Sequence, residues 1–259
     1  MSDAATPRPL PPAQHGAHAA ATPVPHDPNA ELFDQYADNY DAVVAKSVAM
    51  VGGDVAHYAR RKADVLRQVL APGRHRILDF GCGVGALSFS LCTVYPDAEV
   101  TGTDTSADSI ERAAATAAST GQPRARFARG TESALPAGIG TFDAAVAACV
   151  FHHIPPAARA GWMARIFDAL DRDGIFMMFE HNPGNPLTLR AVDACPFDAD
   201  AVLLTHRETV GLFEAAGFVD VRVIHYLFLP PALYGLRPVE RLLRWLPIGG
   251  QFAVVGRHP

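Results

Sequence analysis

Cysteine is scarce in this chain: Cys82, Cys92, Cys149 and Cys195 are the only four among 259 residues. None forms a C-x-x-C pair, so the sequence offers neither a zinc knuckle nor a dithiol redox pair, and no metal site is assigned. All four lie in or beside apolar runs, where reduced, buried thiols are expected. Uninterrupted apolar stretches of the roughly 18 to 20 residues that a membrane span needs are missing. A basic excess is missing too. The formal net charge is −5, which gives no electrostatic footprint for nucleic acid or an anionic membrane. Residues 1–30 lack the apolar core of a secretory signal. They hold seven of the 21 prolines, with Leu10 and Val24 as their large aliphatics. Such a segment cannot offset its ordering entropy by burial, so a disordered tail is expected there, and a cytoplasmic location for the protein.

Hydrophobic residues make up 49% of the chain, which suits one α/β domain over residues 31–259. Leu32, Phe33, Tyr36, Tyr40 and Val43 recur at helical spacing. A second helix is predicted from Asp54 to Val69, and the two together form a helical cover over residues 31–72. Strands and helices then alternate. Strands are predicted at Arg76–Phe80, Ala98–Thr103, Arg124–Ala128, Phe142–Val150 and Ile175–Phe179. Helices start at Ala86, after an N-cap at Ser106, and at Pro155-Pro156. Alternation at this spacing implies a parallel sheet covered on both faces.

After that, Thr209–Ala216 reads as a helix. Two β-rich runs, Phe218–Leu229 and Gln251–Val255, bracket an insertion at 230–249. There Leu236, Val239, Leu242, Leu243 and Leu246 share one helical side and predict a lid. The predicted fold class is α/β and Rossmann-like. It has a seven-stranded, mostly parallel sheet with an antiparallel last strand, N-terminal helices and a C-terminal lid insertion.

The segment Asp79-Phe80-Gly81-Cys82-Gly83-Val84-Gly85 joins the first strand to its helix. Alternate glycines let the backbone turn sharply and approach a ligand without side chains in the way. Asp104 ends the second strand, where a carboxylate can accept both hydroxyl hydrogens of a ribose. Gly81, Gly83 and Ala86 also satisfy a dinucleotide fingerprint, so a nicotinamide-dependent oxidoreductase is an alternative. Asp79 opposes it: it stands two residues before Gly81, where dinucleotide folds usually carry an apolar residue. A carboxylate there suits a ligand with an ammonium group.

The motif Asp79-x-Gly81-x-Gly83-x-Gly85 resembles the first motif of class I S-adenosylmethionine-dependent methyltransferases. Asp104 matches that family's ribose-binding acid, and Phe142-Asp143-Ala144-Ala145-Val146 its fourth-strand motif. The likeness runs from about Phe33 to Val255. It implies S-adenosylmethionine as cofactor, with Tyr40, Asp79, Gly81, Cys82, Gly83, Gly85, Asp104, Thr105, Ala148 and Cys149 around it. The sequence departs from the family after strand three. Relatives usually place an Asp there for the adenine amino group, and here Thr131, followed by Glu132, takes that place.

The expected reaction is methyl transfer to a small-molecule acceptor, at oxygen rather than nitrogen or carbon. A catalytically inactive cofactor-binding protein is the other alternative. An oxygen acceptor needs a base within reach. His152 and His153, after strand four, are candidates. Glu180 and His181 open a polar string, Glu180-His181-Asn182-Pro183, that resembles a bacterial subgroup of small methyltransferases. They are further catalytic candidates, as substrate contacts.

Overall fold

The computed structural model describes Gly52, residues 54–229, Glu240 and residues 242–259. The expected tail, the Leu32–Val43 stripe with Tyr40, and most of the expected lid lie outside these residues.

The first described helix, α1 (Val55–Leu66), begins where the Asp54 side chain accepts the His57 N–H, which satisfies one open donor of the first turn. Alternation follows as β1 (Arg76–Phe80), α2 (Ala86–Val94), β2 (Glu99–Asp104), α3 (Ala107–Ser119), β3 (Ala125–Arg129), β4 (Phe142–Ala148), α4 (Pro156–Asp168) and β5 (Leu170–His181). The rest of the described chain adds α5 (Pro186–Asp193), a single 3₁₀ turn at Pro196–Asp198, α6 (His206–Ala215), β6 (Val219–Tyr226) and β7 (Gln251–Arg257).

The seven strands order as β3-β2-β1-β4-β5-β7-β6, and β7 runs antiparallel to both β5 and β6. The sheet is therefore mostly parallel with one reversed strand, as the bracketed insertion implied. A dinucleotide domain, ordered 3-2-1-4-5-6, lacks that reversed strand. Chain order reverses between β1 and β4, which opens a crevice outside their carboxyl ends.

Side chains along the central strands alternate between two cores. Phe176 and Met178 of β5 pack with Phe151, Trp162 and Phe213; Met177 and Phe179 pack on the other face with Leu66, Leu91 and Tyr95. A strand buried on both faces reads as a continuous apolar run. Each such aromatic or aliphatic side chain contributes about 1.5–3 kcal/mol by leaving water.

Three elements differ from expectation. β5 starts at Leu170, not Ile175. Asp173, with φ of 61°, and Gly174 make an irregularity inside the strand where the sequence suggested a turn. A Cβ on Gly174 would lie 2.7 Å from the Asp171 carbonyl, so glycine is what lets the strand pass. α5 was not expected, because its prolines read as loop. Pro186 instead occupies the first helical turn, and Asn185 accepts the N–H groups of Leu187 and Thr188. α6 starts three residues early, because Thr205 and Glu208 form a reciprocal capping box.

Candidate functional site

A cavity of about 750 Å³ lies over the crevice, lined by the glycine loop, the ends of β2, β4 and β5, and part of α5. A second cavity of about 800 Å³ lies between α1 and β6. It is lined by Ile224, His225 and Tyr226 at the end of β6, and its Arg61 is ion-paired with Glu240.

The glycine loop is held by its own backbone. Gly81 and Cys82 both donate to the Thr103 carbonyl, at 2.8 and 3.0 Å. Gly81 and Gly83 have φ of 71° and 51°, a left-handed region that glycine enters without penalty. A Cβ on Gly81 would meet Val150 at 2.4 Å, whereas one on Gly83 would meet nothing within 4 Å. Gly83 thus faces open cavity, as a ligand cradle requires. Gly85 does not line the cavity, contrary to expectation. It caps α2 with φ of 86° and packs against Phe127, which a Cβ would approach to 2.9 Å. Its role is to seat the helix.

Two carboxylates flank the loop. Asp104 accepts the N–H of Gly83 at 2.8 Å and of Ser106 at 3.0 Å, so it clasps the loop as well as facing the cavity beside Thr105. Asp79 is 1% exposed. Its Oδ2 accepts the Ser88 hydroxyl at 2.6 Å, and its Oδ1 has no partner. Burial, opposed by Ser88 and reinforced by Asp104, pushes its carboxyl up to about 6. An orphaned carboxylate oxygen at a cavity wall is what a ligand ammonium would satisfy. Thr131 and Glu132 are exposed but line the same cavity, and Thr131 donates to the Ala134 carbonyl at 3.4 Å.

Ala148 and Cys149 close the cavity beyond β4. Cys149 has φ of 60° and donates its N–H to Phe179 at 2.8 Å. Burial raises its thiol above the ordinary range, which argues against a nucleophilic role. Gln251 of β7 ties this corner together. It takes the Tyr226 hydroxyl at 2.6 Å on its oxygen and sets its amide nitrogen 3.6 Å from Cys149 Sγ and 3.4 Å from His181 Nδ1.

The four catalytic candidates do not all meet the cavity. His152, His153 and His181 line it. Glu180 is wholly buried behind them, accepting the Phe151 N–H at 2.9 Å and the Nδ1–H of His152 at 2.5 Å. It is a positioning residue and touches no substrate space. Burial opposes a charge on His152, but Glu180 and Asp198 outweigh it and hold the ring up at about 10. His152, helped by His181 and the Phe151 N–H, in turn keeps Glu180 low despite its burial. Burial and the neighbouring His152 charge push both His153 and His181 down to about 4.

Two charged residues that line the cavity escaped the sequence reading. Lys62 of α1 is buried, lines the cavity, and its charge acts on the Asp79 carboxyl there. Its signal was available: it falls on the helix stripe of Ala59, Ala63 and Leu66, where a cation has no packing reason to be. Asp198 sits on the 3₁₀ turn beside His152 and His153. Nothing in its local sequence marks it.

Known proteins fit this geometry. Residues 77–174 match a family model described as a methyltransferase domain. No curated protein matches the chain in sequence. Among solved structures, a Nostoc punctiforme protein provisionally named an O-methyltransferase superposes with TM-score 0.62 at 18% identity, covering 87% of this chain and 60% of its own. SibL, an S-adenosylmethionine-dependent methyltransferase in its apo form, gives 0.58 at 20%, covering 78% and 56%. A TehB-like S-adenosylmethionine-dependent methyltransferase from Corynebacterium glutamicum gives 0.57 at 21%, covering 87% and 99%. The chain thus spans less than two thirds of the first two. At these identities the likeness speaks to the fold.

Proposed function

We propose that this chain is an S-adenosylmethionine-dependent methyltransferase, a reading that the match of residues 77–174 to a methyltransferase-domain model supports, and that it methylates an oxygen of a small-molecule acceptor. The unpartnered Oδ1 of Asp79 beside the open face of Gly83 carries the reading. Asp79 would take the cofactor's ammonium and Lys62 its carboxylate. The bare backbone at Gly83 would cradle the methionine end, and Asp104 the ribose hydroxyls. Thr131 and Glu132 would border the adenine. When bound, the cofactor supplies an electrophilic methyl on a sulfonium. The domain boundaries read from the sequence, with residues 31–259 as the catalytic unit, belong to this proposal.

The chain's own task is alignment, exclusion of water and proton removal. The cavity is walled by Phe80, Leu87, Val150, Trp162, Leu187 and Leu227, which favours an acceptor with an apolar body. Bound cofactor would give up that methyl from sulfur to the acceptor oxygen, and the hydroxyl proton would pass to a neighbouring base. His153 and His181 line the same cavity and supply imidazoles for that proton.

The test is incubation with methyl-labelled S-adenosylmethionine and fractionated metabolites, followed by NMR of the labelled product. The expected product carries the label on an ether, ester or phenolic oxygen. Label on nitrogen or carbon contradicts the oxygen reading.

A further inference from the structure

Two imidazoles and a carboxylate converge beside β4 and β5, a feature that methyl transfer by itself does not call for. Nε2 of His152 and Nε2 of His153 approach one oxygen, Asp198 Oδ1, at 3.3 and 3.5 Å. The three ligand-type atoms all lie within 4.8 Å of one another. Ligands about 2.0–2.1 Å from a tetrahedral zinc stand roughly 3.3 Å apart. Two edges of such a polyhedron are therefore already near length. The third closes by a small turn of His153, whose side chain is the more exposed of the two rings at 15% against 0%.

The orientation of His152 is set from behind. Glu180 accepts its Nδ1–H at 2.5 Å and is itself fixed by the Phe151 N–H. With that proton on Nδ1, the Nε2 of a neutral ring aims its lone pair at the Asp198 carboxylate. That is repulsive unless a positive centre stands between them. A proton on Nε2 is one such centre, and a metal cation is the other. Carboxylate, histidine and metal in line is how metal-bound imidazoles are held.

The geometry points to a site for a divalent transition metal, zinc by its ligand chemistry, formed by His152 Nε2, His153 Nε2 and Asp198 and open to the cofactor cavity. Two nitrogens and one oxygen suit zinc and its neighbours in the first row. Three protein ligands with one position left open is the arrangement of a reactive metal rather than a structural one. All three residues line the cavity, so the open position faces the acceptor space. An acceptor hydroxyl would take that position, with His181, the remaining imidazole lining the cavity, placed to receive its proton. This last role rests on the oxygen-methylation reading; the site itself does not.

The test uses the full chain after treatment with a chelator and dialysis. Zinc chloride is titrated by calorimetry without methyl donor, and cobalt(II) chloride is added while visible absorption is recorded. One zinc per chain is expected, with cobalt bands of four-coordinate nitrogen and oxygen ligation. His153→Ala and Asp198→Ala lower zinc affinity by about 100-fold or more, Glu180→Gln by about 10- to 100-fold, and His206→Ala leaves it unchanged. The proposal is overturned if the unaltered, folded chain takes up no zinc and gives no such cobalt spectrum. It is equally overturned if folded His153→Ala and Asp198→Ala bind zinc as the unaltered chain does. The cobalt spectrum decides even where a variant fails to fold. S-adenosylhomocysteine binding on the same stripped protein keeps the two claims apart, since a chain that binds it yet takes up no zinc sinks the metal site and spares the methyltransferase reading.

Discussion

Asp79 is the residue on which binding and stability meet. Burial lifts its carboxyl from an ordinary 3.8 to about 6, so the folded chain favours the protonated form. In the ligand-free protein this group stabilises most below pH 4. Its contribution falls by about 3 kcal/mol as pH rises through 6, at about 1.4 kcal/mol per unit. Asp79→Asn removes the ionisation and keeps the shape. Thermal melts at pH 8 are expected to show the free variant more stable than the parent, and equally stable or less so at pH 4. Calorimetry is expected to show its affinity for S-adenosylhomocysteine reduced at least about ten-fold. Unchanged melting at pH 8 contradicts the burial argument. The glycines separate in the same way. Gly83→Ala adds a methyl that meets no protein atom, so it is expected to fold with a loss of about 1–2 kcal/mol from its positive φ and to bind poorly. Gly81→Ala drives a methyl into Val150 and is expected to lose fold and binding together. Asp79, Gly81 and Gly83 were legible because their spacing encodes a backbone shape. Lys62 was legible in principle as a cation on an apolar stripe. Asp198 was not, because what it does depends on two rings 45 and 46 residues away in sequence.

At the scale of elements, the polar string after β5 turned out to be a clamp. Asn182 is 4% exposed and donates to the carbonyls of Pro247 and Gly249 at 3.0 and 2.7 Å. Asn185 caps α5 and donates to the Ile248 carbonyl at 2.8 Å. These residues pin the end of the insertion to the end of β5. Asn182→Ala strands two acceptors, at about 1–3 kcal/mol for each that stays dry. Urea denaturation is expected to give a loss of about 2–4 kcal/mol, and a change under about 0.5 kcal/mol contradicts the clamp. The same string explains a miss. Prolines at 183 and 186 suggested loop, yet proline fits a first helical turn, and Asn185 supplied the cap. The strands of the central sheet were readable because burial on both faces leaves unbroken apolar runs. The start of β5 was not, because Asp173-Gly174 bends the strand without ending it.

For the whole molecule, the chain order settles what the glycine fingerprint left open. A reversed β7 between β5 and β6 separates this sheet from a dinucleotide domain, and the late β-rich runs signalled it in sequence. The crevice at β1 and β4 then receives the loop, both carboxylates and the imidazoles by topology alone. No described helix is long and apolar enough to cross a membrane. Since ligand binding stabilises only the folded state, S-adenosylhomocysteine at one hundred times its dissociation constant is expected to add about 2.7 kcal/mol, read as a raised melting temperature. NADH is expected to add nothing. The most direct test is calorimetry of the full chain with S-adenosylhomocysteine, beside Asp104→Ala. One molecule bound per chain, with affinity lost in the variant, is the predicted result. A folded parent that ignores both S-adenosylmethionine and its demethylated product would contradict the account.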